Sequence, residues 1–154
     1  MSEPAAQAIG CTCFKLRKLT RTMSRLYDQH LAAAGLKTTQ YSVLVHVGRE
    51  ALPVAELAER LATERTTLTR NLKPLIEAQW VVLRPGPDSR QRIVTITDAG
   101  RAKVKQAYAF WRTAQTEFEQ LLGPDAVRAL HAQLDTALDQ LTPLPEDPIH
   151  AEPA

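Results

Sequence analysis

Pro53-Val-Ala-Glu-Leu-Ala-Glu-Arg-Leu61 and Glu64-Arg-Thr-Thr-Leu-Thr-Arg-Asn-Leu-Lys-Pro-Leu-Ile-Glu-Ala-Gln79 stand on either side of a break at Ala62-Thr63. In the first, Val54, Leu57, Ala58 and Leu61 recur at helical spacing and leave Glu56, Glu59 and Arg60 outward, so a short amphipathic helix is expected. In the second, Leu68, Leu72, Leu75 and Ile76 form one apolar stripe, and the opposite face is polar and basic. Trp80-Val-Val-Leu-Arg84 and Arg92-Ile-Val-Thr-Ile96 are rich in β-branched residues and read as two short strands. The intervening Pro85-Gly-Pro-Asp-Ser-Arg-Gln91 is a turn by composition.

Helix, turn, helix and a two-stranded hairpin, in that order, describe a winged helix-turn-helix. A helix that enters the major groove of DNA needs small or hydrogen-bonding side chains near its N-terminus, because only those come close to base edges. Arg65, Thr66, Thr67, Thr69 and Arg70 satisfy that demand, and Lys73, one turn on, suits a phosphate. Arg84 and Arg92 on the strands and Asp88 and Arg90 in the turn complete the candidate DNA-binding set. The same residues are also what the solvated face of any amphipathic helix looks like; the charge distribution separates the two readings. Nine Lys/Arg face three acids from Arg65 to Lys105, whereas two face eight from Gln106 to Ala154, in a chain whose formal net charge is only +2. Segregation of this kind favours a polyanionic partner and is not required for solubility.

Asp88-Ser-Arg-Gln-Arg-Ile-Val-Thr-Ile-Thr-Asp-Ala-Gly100 resembles the signature of MarR-type transcriptional regulators: an Asp-x-Arg in the wing, an apolar strand, then Leu/Ile-Thr-x-x-Gly opening the next helix. Gln79 stands where that family often has glycine, and the resemblance extends over roughly residues 11 to 141. It implies that Arg90 enters a minor groove while Asp88 holds its guanidinium; a narrow minor groove concentrates negative potential and attracts arginine. Thr97 is placed to cap a helix starting at Asp98, with Gly100 in its first turn.

The 154 residues suffice for one domain of ordinary size, expected over 11–141, with the winged unit at about 39–97 and flanking helices at about 11–34 and 98–141. Residues 1–10 and the Pro-rich, acidic 142–154 offer little apolar surface and are expected to be disordered. No apolar run approaches the ~20 residues that span a bilayer, and the N-terminus lacks a signal peptide's pattern. A soluble, cytoplasmic protein with no membrane partner is the expectation.

The first long helix carries Leu16, Leu19, Met23 and Leu26 at steps of three and four, with Gly35 as its stop. Thr39 reads as the cap of a second helix bearing Tyr41, Val43, Leu44 and Val47, and residues 52–53 as a short extra strand beside the wing. Past the wing, Val104, Tyr108, Trp111, Gln115, Phe118 and Leu122 approach a heptad, and Val127, Leu130, Leu134, Leu138 and Leu141 line a last helix from Asp125. That is more stripe than one small winged unit covers. A homodimer with interleaved terminal helices is expected, holding two reading helices about one DNA turn apart over a pseudo-palindromic operator; the alternative is a monomer that folds its terminal helices back on itself.

Cys11 and Cys13 are the only cysteines, and His30, His46, His131 and His150 are scattered, so neither a zinc site nor a structural disulfide is expected. Cys13-Phe14 resembles the Cys-Phe of the organic-peroxide-sensing branch of the MarR family, where thiolate oxidation releases the operator and two tyrosines of the partner subunit bond the cysteine. Tyr27 matches one of these; Thr38 stands in place of the other. A helix N-terminus with Lys15, Arg17 and Lys18 nearby favours the thiolate. The family's alternative signal is a small phenolic-type effector, for which Tyr27, Tyr41, Tyr108, Phe110 and Trp111 are the candidate cleft aromatics. No Gly-rich phosphate loop, paired carboxylates or Ser-His-Asp set points to catalysis or to a cofactor. Beside a DNA-binding repressor stand two other classes, a winged-helix protein-interaction module and a thiol peroxidase-like enzyme using Cys13.

Overall fold

The computed structural model describes residues 10–88 and 90–141, and the expected disordered ends lie outside them, apart from Gly10 in an exposed turn. In chain order the elements are α1 (Thr12–Leu31), a 3-10 turn (Ala32–Ala34), α2 (Thr38–Arg49), β1 (Leu52–Pro53), α3 (Val54–Arg60), α4 (Arg65–Glu77), β2 (Val81–Pro85), β3 (Arg92–Ile96), α5 (Asp98–Leu122) and α6 (Pro124–Leu141). The fold is mainly α with a small antiparallel sheet, a winged helix-turn-helix flanked by long helices. The chain divides into two compact units, the first ending at Gln115 and the second beginning at Thr116. Among the described residues of the second, Phe118 and Val127 are the buried apolar ones.

In the first unit helices α1 to α4 and the sheet share one core. Leu31, Val43, Leu44, Val47, Leu52, Leu57, Leu68, Leu75, Val81 and Val94 are each no more than 2 % exposed. The sheet order is β1-β3-β2, with Leu52 opposite Val94 and Val81 opposite Ile96. β1 immediately precedes α3, so β3 ties the hairpin to the helix-turn-helix on one side and to its own wing strand on the other.

Helix ends follow local chemistry. Gly35 takes φ +69 after the 3-10 turn, a left-handed stop that glycine adopts without steric cost. The expected cap at Thr39 lies two residues too late: α2 is capped at Lys37, whose amide donates to Gln40 Oε1 at 2.9 Å. Asp28 of α1 supplies the rest, its Oδ1 accepting both the amide and the hydroxyl of Thr38 at 2.6 Å. A residue 10 positions away completes this cap, which local pattern could not reveal. Thr97 does cap α5, its Oγ1 accepting from the Gly100 amide at 3.0 Å while its own proton faces the carbonyls of Gln79 and Trp80. The expected stripe on α1 is only half covered in the single chain: Met23 and Leu26 pack on the core, whereas Leu16 and Leu19 are exposed.

Two positions at the base of the wing are stereochemically special. A Cβ on Gly100 would lie 2.1 Å from the Trp80 carbonyl oxygen, so only glycine lets α5 approach β2 this closely. Gln79 sits at φ +58, a left-handed conformation that costs a non-glycine residue about 1–2 kcal/mol. Chemical denaturation of two variants checks both statements. Gly100→Ala should lose at least about 2 kcal/mol by forced overlap with backbone, and Gln79→Gly should gain up to about 1 kcal/mol, relieved strain exceeding the added unfolded-state entropy.

Candidate nucleic-acid interface

Leu68, Leu72 and Leu75 are buried along one side of α4, and this fixes the rotation of the helix. Arg65, Thr66, Thr69, Arg70 and Lys73 therefore project from the opposite side, all exposed. They line one wall of a groove of about 760 Å³ whose other wall is the wing, through Leu83, Arg90, Gln91 and Arg92. Five cations, Arg65, Arg70, Lys73, Arg90 and Arg92, line it against a single acid, Glu77. Lys73 Nζ lies 3.9 Å from Glu77 Oε1, and both side chains are well exposed, so solvent screens that pair and leaves the lysine charge available.

Of the ten residues expected to bind DNA, seven line this groove; Thr67, Arg84 and Asp88 are exposed but do not. Thr69 Oγ1 donates to the Arg65 carbonyl at 2.8 Å, so its hydroxyl proton is engaged within the helix and what it offers outward is acceptor lone pairs. Asp88 departs from the expected role. Its Oδ1 accepts the backbone amide of Arg90 at 3.0 Å, not the guanidinium. A short side chain two residues before an amide closes an Asx turn more readily than it reaches out along a long arginine. With Gly86 N to Gln91 O at 3.1 Å and Gln91 N to Asp88 O at 2.9 Å, that contact shapes the wing tip, and Arg90 projects from it. Leu83 and Gln91 were not singled out from sequence; for Gln91 the available signal was its place next to the wing arginine.

Residues 34–92 match the sequence profile of the MarR family. The HTH-type transcriptional regulator TcaR of Staphylococcus aureus is 34% identical over 73 residues, 46% of this chain and 48% of that protein, so the chain spans about half the length of that relative. YwoH of Bacillus subtilis, also an HTH-type transcriptional regulator, is 30% identical over 94 residues, covering 60% of this chain and 68% of YwoH. The crystal structure of the M. tuberculosis transcriptional regulator MosR in complex with DNA superposes with a TM-score of 0.71 at 35% identity, over 84% of this chain and 97% of that one. The chain belongs to the MarR family. For this MarR-family chain the groove between α4 and the wing is the candidate nucleic-acid interface.

The cysteines lie elsewhere, at the start of α1, and both are exposed. The amides of Phe14 and, less strongly, Cys13 point toward the Cys11 sulfur without closing a formal capping bond, and they hold its thiol below the ordinary range; desolvation opposes them only weakly. Tyr27 is buried and its hydroxyl donates to Gln115 Oε1, while the Thr38 hydroxyl is committed to Asp28. The five aromatics stand in different surroundings. Tyr27 and Tyr41 belong to the core, where burial raises the Tyr41 hydroxyl above its usual range with a smaller push from Tyr108. Phe110 and Trp111 pack against that core, and Tyr108 stacks on Trp111 at 5.8 Å. Tyr108 lines a cavity of about 390 Å³ with Val45, Ile96, Arg49, Arg101 and Lys105. Among the described residues no three His, Cys, Asp or Glu gather as metal ligands, and no helix is long and apolar enough to cross a membrane.

A thiol with a lowered pKa is reactive above that pKa and loses its nucleophile as pH falls through it. Iodoacetamide labelling of a Cys13→Ser variant should thus reach half its maximal rate at a lower pH than labelling of a free cysteine peptide. Coincident profiles would show that the Phe14 and Cys13 amides do not act on the sulfur.

Proposed function

We propose that the protein is a homodimeric, sequence-specific DNA-binding transcriptional regulator that represses by occupying a pseudo-palindromic operator. One observation carries this reading: the outward face of α4 and the cationic wing line the same groove. In this reading α4 enters a major groove with Arg65, Thr66, Thr69 and Arg70 toward base edges, Lys73 meets a phosphate, and Arg90 reaches the neighbouring minor groove. The MosR complex with DNA supports it by similarity. A homodimer is supported by apolar side chains exposed in each unit, Phe14, Leu16 and Leu19 in one and Leu121, Leu138 and Leu141 in the other.

Release follows oxidation. The reacting sulfur is that of exposed Cys11, where the Phe14 and Cys13 amides favour the thiolate, and not Cys13 of the Cys-Phe resemblance. It attacks the terminal oxygen of a peroxide, the O–O bond breaks, the alkoxide takes a proton from water and leaves as an alcohol, and the sulfur becomes a sulfenic acid. The operator is then lost because the oxidised and reduced states differ in the separation of the two reading helices. A second reading, release by a small aromatic acid, has one observation in its favour: Arg49, Arg101 and Lys105 rim the cavity that Tyr108 lines.

Selection of bound duplexes from a random library, with and without cumene hydroperoxide, tests the proposal. The expected outcome is an inverted repeat enriched only under reducing conditions. Unchanged enrichment with both cysteines fully oxidised would leave the aromatic acid as the signal. A salt-insensitive failure to bind any duplex would return the protein-interaction reading, since contacts to phosphate must weaken steeply with salt. Alanine variants distinguish the roles. Arg65→Ala and Arg70→Ala should each lose about 1–3 kcal/mol of discrimination between operator and random DNA. Lys73→Ala should weaken both alike, and Arg90→Ala should weaken operator binding through the minor groove, all read by fluorescence anisotropy at fixed salt.

A further inference from the structure

Lys103, in the second turn of α5, was not singled out by any sequence pattern, yet it joins three separate segments. Its Nζ donates to the Ala34 carbonyl at 3.2 Å and to Gln106 Oε1 at 2.7 Å, and lies 4.7 Å from the centroid of the Trp80 ring. Ala34 ends the 3-10 turn that follows α1, where backbone carbonyls lack helical partners and carry the negative end of the helix dipole. Trp80 is the residue from which the wing rises. Its carbonyl accepts the Thr97 amide at 3.0 Å, and Gly100 lies flat against it. An ammonium group has three protons and no acceptor. Here two go to oxygen and the charge sits over the indole face, an arrangement worth more when partly desolvated, as the half-buried Lys103 is.

We propose that Lys103 is a positioning residue that pins the root of the wing to the 3-10 turn that follows α1 and thereby sets where Arg90 stands relative to α4. This rests on the DNA-binding reading above. Both wing strands leave from this knot, β2 directly after Trp80 and β3 ending directly before Thr97. Each has five residues, so at about 3.3 Å per residue the tip stands roughly 15 Å or more from the root. A rotation of ~5° at the root then moves the tip by more than ~1 Å, enough to lose a hydrogen bond whose useful range is only about 0.5 Å wide. Lys103 thus links the 3-10 turn after α1 to the residue from which the wing rises.

The test is a double-mutant cycle with Arg90→Ala, backed by hydrogen exchange of the free protein. Lys103→Met keeps the aliphatic stem and removes the ammonium. It should weaken operator binding about tenfold in the wild-type background and by less than about twofold when Arg90 is already alanine. Lys103→Arg, which can stack on the indole and reach the same carbonyls, should restore most of the affinity. In the free protein, Lys103→Met should speed exchange of the β2 and β3 amides at least about threefold while those of α2 stay protected. Penalties that multiply across the cycle would overturn the proposal, because the lysine would then act as an independent charge or through general stability. So would unchanged wing exchange. If the wild-type protein bound no duplex, the DNA reading would fall, and the exchange comparison would still decide what Lys103 holds.

Discussion

The burial of Leu68, Leu72 and Leu75 against the core sets the orientation of every side chain on α4. Each such leucine contributes about 1.5–3 kcal/mol by transfer out of water, and the three recur at steps of four and three, so no other rotation of the helix hides them together. Arg65, Thr66, Thr69, Arg70 and Lys73 occupy the complementary steps. Their exposure is a consequence of what the leucines do, reinforced by the cost of burying unpaired cations. The wing is referred to the same frame through β3, whose Val94 is opposite Leu52 on one side and Leu83 on the other. Helix and wing are thereby held by one core, and the groove between them is a property of packing as much as of its lining residues.

Periodic features of this design were legible before the fold was seen. The strand Arg92–Ile96 follows from its β-branched composition, the apolar stripes of α3 and α4 from helical spacing, and the Thr97 cap from a local motif. What escaped depends on partners distant in sequence or on backbone geometry. Asp28 and Thr38 complete a cap across a turn, and Gln79 holds a left-handed conformation usually left to glycine. Lys103 meets a carbonyl 69 residues upstream. None of these leaves a period. Asp88 differs from these in that its expected partner residue is the one it meets, but at another atom: its carboxylate closed on the Arg90 amide instead of the side chain.

The stripe on α1 shows where such reading ends even when the period is correct. Leu16 and Leu19 lie on the apolar face that spacing identified, yet within one chain they remain 42% and 37% exposed. Periodicity says which side of a helix is apolar and is silent on what covers it. For isolated side chains this would need no explanation, but Phe14 joins them on the same helix, at the end that carries both cysteines. A chemical change at Cys11 would therefore occur beside apolar surface, where adding a polar oxygen alters how that surface packs with whatever meets it.

If the groove is the nucleic-acid interface proposed above, exposure of its cations limits how it can generate specificity. Arg65, Arg70, Arg90 and Arg92 are solvated before any partner arrives, so their attraction to a polyanion is largely counterion release, which is indifferent to sequence. Discrimination must then come from a few directional contacts, and directional contacts fail with small displacements. A wing rooted at Trp80, Thr97, Gly100 and Lys103 converts a slight rotation at its base into a larger shift at its tip. In the proposed reading, control of sequence recognition accordingly resides at the root, outside the groove, while the basic surface itself stays unchanged.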